Sequence, residues 1–455
     1  MNKRRITILL SFCLIIVYNF QIKAQESQTF SLKEAQEYAL KNNANVKNAK
    51  LDIEKAKKKI WETTAMGLPH VSAKVAYTYL PTVPEMSFAT PYLINPVDAP
   101  GYGPEMISMG YQTIPMKLGV ENSVTLDATV SQLVFSGAYI VGLQASKVFK
   151  KLSQHSLEQS ENDVKEEVAN TYYMILAAEE SLKILNQNHI NINKTLLELT
   201  ELHKEGFVEN TDVDQIKYTK ITIANAEKAL ERQVQIAYRL LKFQMGIELD
   251  NLISLSEKLE DIVKEISIET LFNDNYDISN NPTYKLLQTQ ENLQMLNLKR
   301  EKSMFLPTIT AFYNHQEKSA KADFDFSMPN MFGANMSIPI FSFGERLSKV
   351  KQADIELEKT RNQRKMAIQG LRLEVEKAQI SLRTAYEKFL NEKSNLELTK
   401  KIYDKTAIKY KEGISSSMDL TQASSQYLQA QSNYFNTVNE LLNSKNKLEN
   451  LLNKN

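Results

Sequence analysis

The chain has 455 residues, of which 55 are basic, 54 are acidic and 42% are apolar. That near-neutral balance excludes the basic surplus expected of a general nucleic-acid binder. The only cysteine is Cys13, so the chain beyond it has no disulfides, no thiol catalysis and no cysteine metal sites.

The N-terminus reads as a secretory signal over residues 1–24: Lys3, Arg4 and Arg5, an apolar run from Ile6 to Phe20, and a small-residue exit at Ala24. No later stretch reaches the roughly 18 apolar residues of a membrane-spanning helix. Contact with a membrane is therefore expected through β-strands.

After an opening helix that ends before Leu68-Pro69, period-2 alternation begins. Val71, Ala73, Val75, Tyr77 and Tyr79 alternate with Ser72, Lys74, Ala76 and Thr78. A partner strand alternates Val124, Leu126, Ala128 and Val130 with Ser123, Thr125, Asp127, Thr129 and Ser131. Such strands suit a barrel wall between lipid and water, or an ordinary half-buried hairpin. Seven of the twelve prolines fall between Pro81 and Pro115, and this Pro-rich segment from Leu80 to Pro115 is expected as an enlarged loop. Trp61 suits either a membrane-water boundary or a core.

No proline occurs from Met116 to Asn281 or from Ile340 to Asn455, and proline costs about 3 kcal/mol inside a helix. Within these stretches the interval from Gly137 to Gly206 has the same length as that from Gly344 to Gly413. Each interval is expected as one helix about 100 Å long. Val164, Val168, Thr171, Ile175, Ala178, Leu182 and Leu185 begin a seam spaced alternately four and three, continued through His189 to His203. Leu371, Val375, Ala378, Leu382, Ala385 and Phe389 repeat it toward Tyr410. That spacing specifies left-handed supercoiling.

The two intervals belong to a duplication. At one common offset Asn42-Asn43 matches Asn280-Asn281 and Leu68-Pro69 matches Leu306-Pro307. At a second, shorter offset Lys204-Glu205-Gly206 matches Lys411-Glu412-Gly413 and Asp212 matches Asp419, and Phe135-Ser136 matches Phe341-Ser342 to within one position of it. The Pro-rich insertion of the first half separates the two offsets. In the second half Ile309, Ala311 and Tyr313 answer Ala334, Met336, Ile338 and Ile340. The first repeat is expected over 25–245, with a β-hairpin region 68–135, a long helix 137–205 and a returning helix 211–245. An equatorial segment over 246–281 precedes the second repeat over 282–455, with hairpin 306–343, long helix 344–412 and returning helix 418–453. Four strands leave two open edges and are too few to close a barrel. Three chains would supply twelve.

With these features together, the chain resembles the TolC-like outer membrane efflux proteins from about Phe30 to Leu452. The resemblance rests on the Phe30-Ser31-Leu32-Lys33-Glu34-Ala35 opening, the Leu-Pro pairs, the Phe-Ser and Gly junctions, and the Lys-Glu-Gly turns followed six residues on by aspartate. It implies a mainly α fold with a small β part: a homotrimer whose long coiled-coil hairpins form an α-helical barrel, joined to a 12-stranded transmembrane β-barrel. It also implies an outer membrane location with the α-barrel in the periplasm. The implied role is a channel, not an enzyme, with no cofactor, serving multidrug efflux or type I secretion. Its partners would be a periplasmic adaptor, an inner-membrane pump of RND or ABC type and outer membrane lipid, with no nucleic acid. The competing reading is a periplasmic adaptor or secreted coiled-coil scaffold.

By the same resemblance Gly206 and Gly413 mark adaptor-contact hairpin tips, although a plain helix C-cap accounts for both. Asp212, Tyr410 and Asp419 become the periplasmic gate, with Asp419 in an acidic ring and Tyr410 the partner of Asp212. Helix capping, with Thr211, Asp214 and Ser417 beside the aspartates, and plain packing of Tyr410 are the simpler accounts. The chain departs from the family pattern at Ser415, where an arginine is usual, and at Gln422, where a second ring aspartate is usual. No catalytic or metal residues are assigned: the five histidines, His70, His155, His189, His203 and His315, lack ligand spacing.

Overall fold

A computed structural model describes residues 28–94, 108–264, 277–322, 325 and 327–454. The signal segment, the middle of the Pro-rich segment (95–107) and residues 265–276 of the equatorial segment lie outside the described residues. In chain order the elements are β1 (Gln28–Phe30), α1 (Leu32–Asn42), α2 (Ala44–Ala65), β2 (His70–Tyr79), β3 (Glu85–Ile94), β4 (Ser108–Lys117), β5 (Asn122–Ser136), α3 (Gly137–Lys204), α4 (Asn210–Met245), β6 (Ile253–Leu255), α5 (Leu259–Lys264), α6 (Pro282–Ser303), β7 (Thr308–Lys318), β8 (Asn330–Ser337), α7 (Glu345–Lys411) and α8 (Ser417–Leu451). The long helices α3 and α7 have 68 and 67 residues. Among the described residues no helix is long and apolar enough to cross a membrane.

The chain forms two compact units, and each draws on both repeats. One holds the chain up to Glu54, Lys151–Thr289 and Asn362–Asn455; the other holds Lys55–Lys150 and Gln290–Arg361.

The first unit is helical. Its core takes the expected seam inside, with Val168, Ile175 and Leu382 fully buried beside Leu241, Leu441 and Leu448. The opening helix α1 starts with a capping box, in which the Ser31 hydroxyl accepts from the Glu34 N–H while the Glu34 carboxylate accepts from the Ser31 N–H. Beside it, β1 pairs in parallel with β6, a small sheet that the alternation did not announce.

In the second unit β2, β5, β7 and β8 form one antiparallel sheet in that order. The register places Val71 opposite Val130, Val75 opposite Leu126 and Tyr77 opposite Val124, then Tyr313 opposite Phe332 and Ile309 opposite Met336. Because side chains alternate between faces, these residues share the apolar face. The other face is polar: Gln316 donates to Asp127 at 2.7 Å and Asn314 to Thr129 at 2.9 Å, while Lys74 lies opposite Asp127. Much of the apolar face stands uncovered, with Val71 77%, Val75 68% and Phe332 81% exposed. Trp61 is also exposed, at 63%, which removes the core reading within a single chain.

The Pro-rich segment is more ordered than a loop. β3 and β4 pair antiparallel from Glu85 opposite Lys117 to Ile94 opposite Ser108. Two further bonds, Leu80 N–H to Glu121 O at 2.8 Å and Leu118 N–H to Pro84 O at 2.9 Å, lie between this ribbon and the β2–β5 pair. Pro91 and Pro115 are admitted because each strand of a two-stranded ribbon is an edge, where a missing N–H need not break a ladder.

Candidate functional site

The site begins with two helix ends of the same construction. Gly206 has φ 80° and Gly413 φ 73°, the left-handed region in which glycine has no steric penalty. At the first end Gly206 N–H bonds His203 O at 3.0 Å and Phe207 N–H bonds Leu202 O at 2.9 Å. At the second, Gly413 N–H bonds Tyr410 O at 3.0 Å and Ile414 N–H bonds Lys409 O at 2.8 Å. These bonds satisfy terminal carbonyls and stop the helices. A Cβ at either glycine would meet nothing within 4 Å, so backbone conformation alone demands glycine. The residue after each glycine is apolar and turned outward: Phe207 is 77% exposed and Ile414 70%, with Met418 nearby in sequence at 64%.

The returning helices start differently from one another. α8 has Ser416 as N-cap: its hydroxyl accepts from the Asp419 N–H at 3.1 Å. In return, Oδ2 of Asp419 accepts from the Ser416 hydroxyl at 2.8 Å, the Ser416 N–H at 3.0 Å and the Ser415 hydroxyl at 3.1 Å. These donors, the Ser416 hydroxyl foremost, hold the Asp419 carboxyl below its usual range. The cap thus falls on Ser416, not on Ser417. Ser415 supports the same carboxylate.

At α4 the N-cap is Glu209, and it makes no side-chain cap bond. Thr211 and Asp214 do not cap the helix, because it begins at Asn210 and places both inside it. The Thr211 hydroxyl donates back to Glu209 at 3.2 Å, and Asn210 donates to Asp214 at 3.0 Å.

Ser417, only 3% exposed, is turned toward α4. Its hydroxyl donates to the Asp212 carboxylate and lies 2.6 Å from the Gln215 side-chain amide. Further along the two helices, the hydroxyls of Thr219 and Thr421 lie 3.2 Å apart. The structure therefore brings Asp212 and the start of α8 together inside one chain through residues that the sequence reading had not paired.

Tyr410 packs with Leu196, Val208, Val213, Tyr403 and Leu428 on a small core of Ile192, Leu199, Ile216, Ile223 and Leu420. Burial, and then the negative charge of Asp212, push its phenol up to about 12. Tyr410 thus bears on Asp212 through charge, while the hydrogen bond to that carboxylate comes from Ser417. Of the seam histidines, His203 Nδ1 lies 2.9 Å from the Val208 carbonyl and His189 Nδ1 lies 2.6 Å from Glu227 Oε2. Gln422 is exposed on α8.

Residues 279–454 match the family model described as outer membrane efflux protein. No curated protein matches the chain in sequence. Among solved structures, the CmeC outer membrane channel of Campylobacter jejuni is similar over 93% of this chain and 85% of its own, with TM-score 0.71 and 18% identity. The VceC outer membrane protein of Vibrio cholerae covers 92% of this chain and 95% of its own, with TM-score 0.68 and 13% identity. The open-state MtrE outer membrane channel of Neisseria gonorrhoeae covers 92% and 88%, with TM-score 0.70 and 14% identity.

Proposed function

From a chain with the fold of the TolC-like outer membrane factors and an outer membrane efflux protein domain over residues 279–454, we propose that three copies form an outer membrane channel with a periplasmic helical barrel. The observation that carries this reading is the four-stranded sheet. It has one apolar and one polar face, and among the described residues its β2 and β8 edges are unpaired. A lipid-facing sheet cannot leave edge N–H and C=O groups open, and closing it with further copies removes both edges at once. The apolar face then meets lipid, and the polar face with Asp127, Gln316 and Asn314 lines a wet lumen.

The helical tips are the periplasmic mouth. Gly206 and Gly413 set the turns, and Phe207, Ile414 and Met418 offer the apolar surface that an adaptor protein grips. Asp212, Tyr410 and Asp419 belong to the gate: Ser417 ties Asp212 to α8, Tyr410 packs behind it, and Asp419 carries the exposed carboxylate of an acidic ring at the constriction. The energy comes from an inner-membrane pump of the RND or ABC type. Cargo passes through as in tripartite efflux or type I secretion, and the chain acts as a conduit, not a catalyst. Two long hairpins and a single sheet that joins strands of both repeats argue against the adaptor reading, which calls for one hairpin between compact β-domains.

The test is insertion of the purified protein into a planar bilayer. Discrete single-channel conductance from a heat-resistant oligomer of the outer membrane fraction is expected. A water-soluble monomer that produces no conductance overturns the reading.

A further inference from the structure

The internal duplication can be measured directly from strand pairing. Val71 pairs with Val130 and Ile309 with Met336. Strand β2 therefore maps onto β7 by the shift that carries Val71 to Ile309, and β5 onto β8 by the shift that carries Val130 to Met336. The long helices match by the shift that carries Gly137 to Gly344, which exceeds the β5-to-β8 shift by a single position. That extra position is Phe343, which has φ 46° and is 93% exposed, followed by Gly344 with φ 86°. The first half has no such residue and passes from β5 straight into α3.

Between the repeats, β5 pairs with β7. The equivalent junction for the second repeat would join β8 to a β2 that one chain does not have to spare, since its own β2 lies at the opposite edge of the sheet. We infer that the β5–β7 junction is the residue-by-residue template for the junction between β8 of one copy and β2 of the next. The inference rests on the reading that copies of this chain close a barrel, and it adds the register and a conformational change.

Carrying each observed pair across by these two strand shifts converts Val130–Tyr313 into Met336–Val75, Thr129–Asn314 into Asn335–Ala76, and Gln132–Ala311 into Ile338–Ala73. Phe135–Ile309 becomes Phe341–Val71, and Ser136–Thr308 becomes Ser342–His70. The irregularity between Leu133 and Phe135 becomes one at Ile340. Every residue converted on the apolar side is apolar: Met336, Ile338 and Phe341 meet Val75, Ala73 and Val71. Slipping the register by a single position would set these side chains against the polar face of β2.

The surface agrees with this assignment. β7, paired on both sides, is half-buried along most of its length, whereas β2 is almost entirely exposed. β8 stops at Ser337, although β5 runs on to Ser136, the counterpart of Ser342. The missing stretch carries Ile338 at 58%, Ile340 at 91% and Phe341 at 74% exposure. The next copy's β2 supplies the partner that lets residues 338–342 continue the strand up to the positive-φ pair Phe343-Gly344.

Disulfide mapping tests the register against a single background thiol, because Cys13 is the only native cysteine, and every variant also carries Cys13→Ser. Facing residues in an antiparallel pair lie about 4.5–5.5 Å apart at Cα, within disulfide reach, whereas diagonal neighbours at about 7–8 Å lie beyond it. The full-length protein is prepared with Ala76→Cys and Asn335→Cys, with Lys74→Cys and Asn335→Cys, and with Thr78→Cys and Asn335→Cys. Thr129→Cys with Asn314→Cys serves as an intrachain control that the sheet has folded. The first pair is expected to give a covalent trimer on a non-reducing gel, and the two shifted pairs monomers. Crosslinking by a shifted pair instead overturns the register but leaves the barrel. If no interchain pair links while the control disulfide forms, both the register and the barrel reading fall.

Discussion

The hydroxyl of Ser417 donates to the carboxylate of Asp212, far away in the sequence, fastening the starts of α4 and α8 to each other. A hydrogen bond to a charged group contributes about 1.5–3 kcal/mol, and removing one partner leaves the other to lose it. Ser417→Ala should therefore lower the thermal stability of the helical tips and raise leak conductance in a planar bilayer. A double-mutant cycle with Asp212→Asn should show strong coupling. Additive effects would mean that the two residues act separately.

Asp419 makes the stability of α8 depend on pH. Its folded carboxyl is held below the usual range by Ser416 and Ser415, so the stabilisation is full above the ordinary carboxylate value of about 4 and is lost as pH falls through the lower folded value. Helical circular dichroism of the wild type should weaken through that acid window. Asp419→Asn should be less stable at neutral pH and should lose this part of the acid dependence. An unchanged titration would remove the cap from the account.

Gly206→Ala and Gly413→Ala should each destabilise by about 1–2 kcal/mol, because a side chain in the left-handed region carries that cost and no crowding adds to it. Gly→Asn at the same sites should cost less, since asparagine visits this region more readily. Thermal unfolding monitored at the helix signal checks both. Equal losses for Ala and Asn would point to something other than φ.

Replacing the exposed tip residues Phe207, Ile414 and Met418 with serine should leave unfolding within about 0.5 kcal/mol of wild type, as for ordinary surface positions. The same variants should abolish export in cells that carry the cognate adaptor and pump. Full export would remove these residues from the docking surface.

The two faces of the sheet should respond oppositely to charge. Val75→Lys, on the apolar face, should cost about 2–4 kcal/mol if the position lies near the bilayer midplane, whereas Thr125→Lys on the polar face should be tolerated and shift ion selectivity. Urea unfolding in lipid vesicles, with reversal potentials for the second variant, measures each.

Much of the fold was legible because it is periodic. Alternation at Val71 to Tyr79, the four-and-three seam from Val164, and the equal glycine spacings are local patterns set by side-chain geometry, and each element formed where its pattern lay. The Pro-rich segment misled because proline counts against a central strand but not against a two-stranded ribbon, a distinction that depends on whether a third strand is present. Asp419 beside Ser416 could be read from capping-box spacing, although Ser417 was the candidate put forward. The partnership of Ser417 with Asp212 had no local signature, since it exists only once two helices from different repeats lie side by side.

Sequence by itself thus determined the alternating strands, the long seam helices and where those helices turn, because those choices follow from interactions between near neighbours along the chain. Tertiary structure alone decided that β5 lies beside β7, that β2 and β8 are left as edges, and that Asp212 bonds Ser417 while Tyr410 packs behind. Those outcomes depend on which surfaces meet after long-range closure, and a one-dimensional pattern does not encode that meeting.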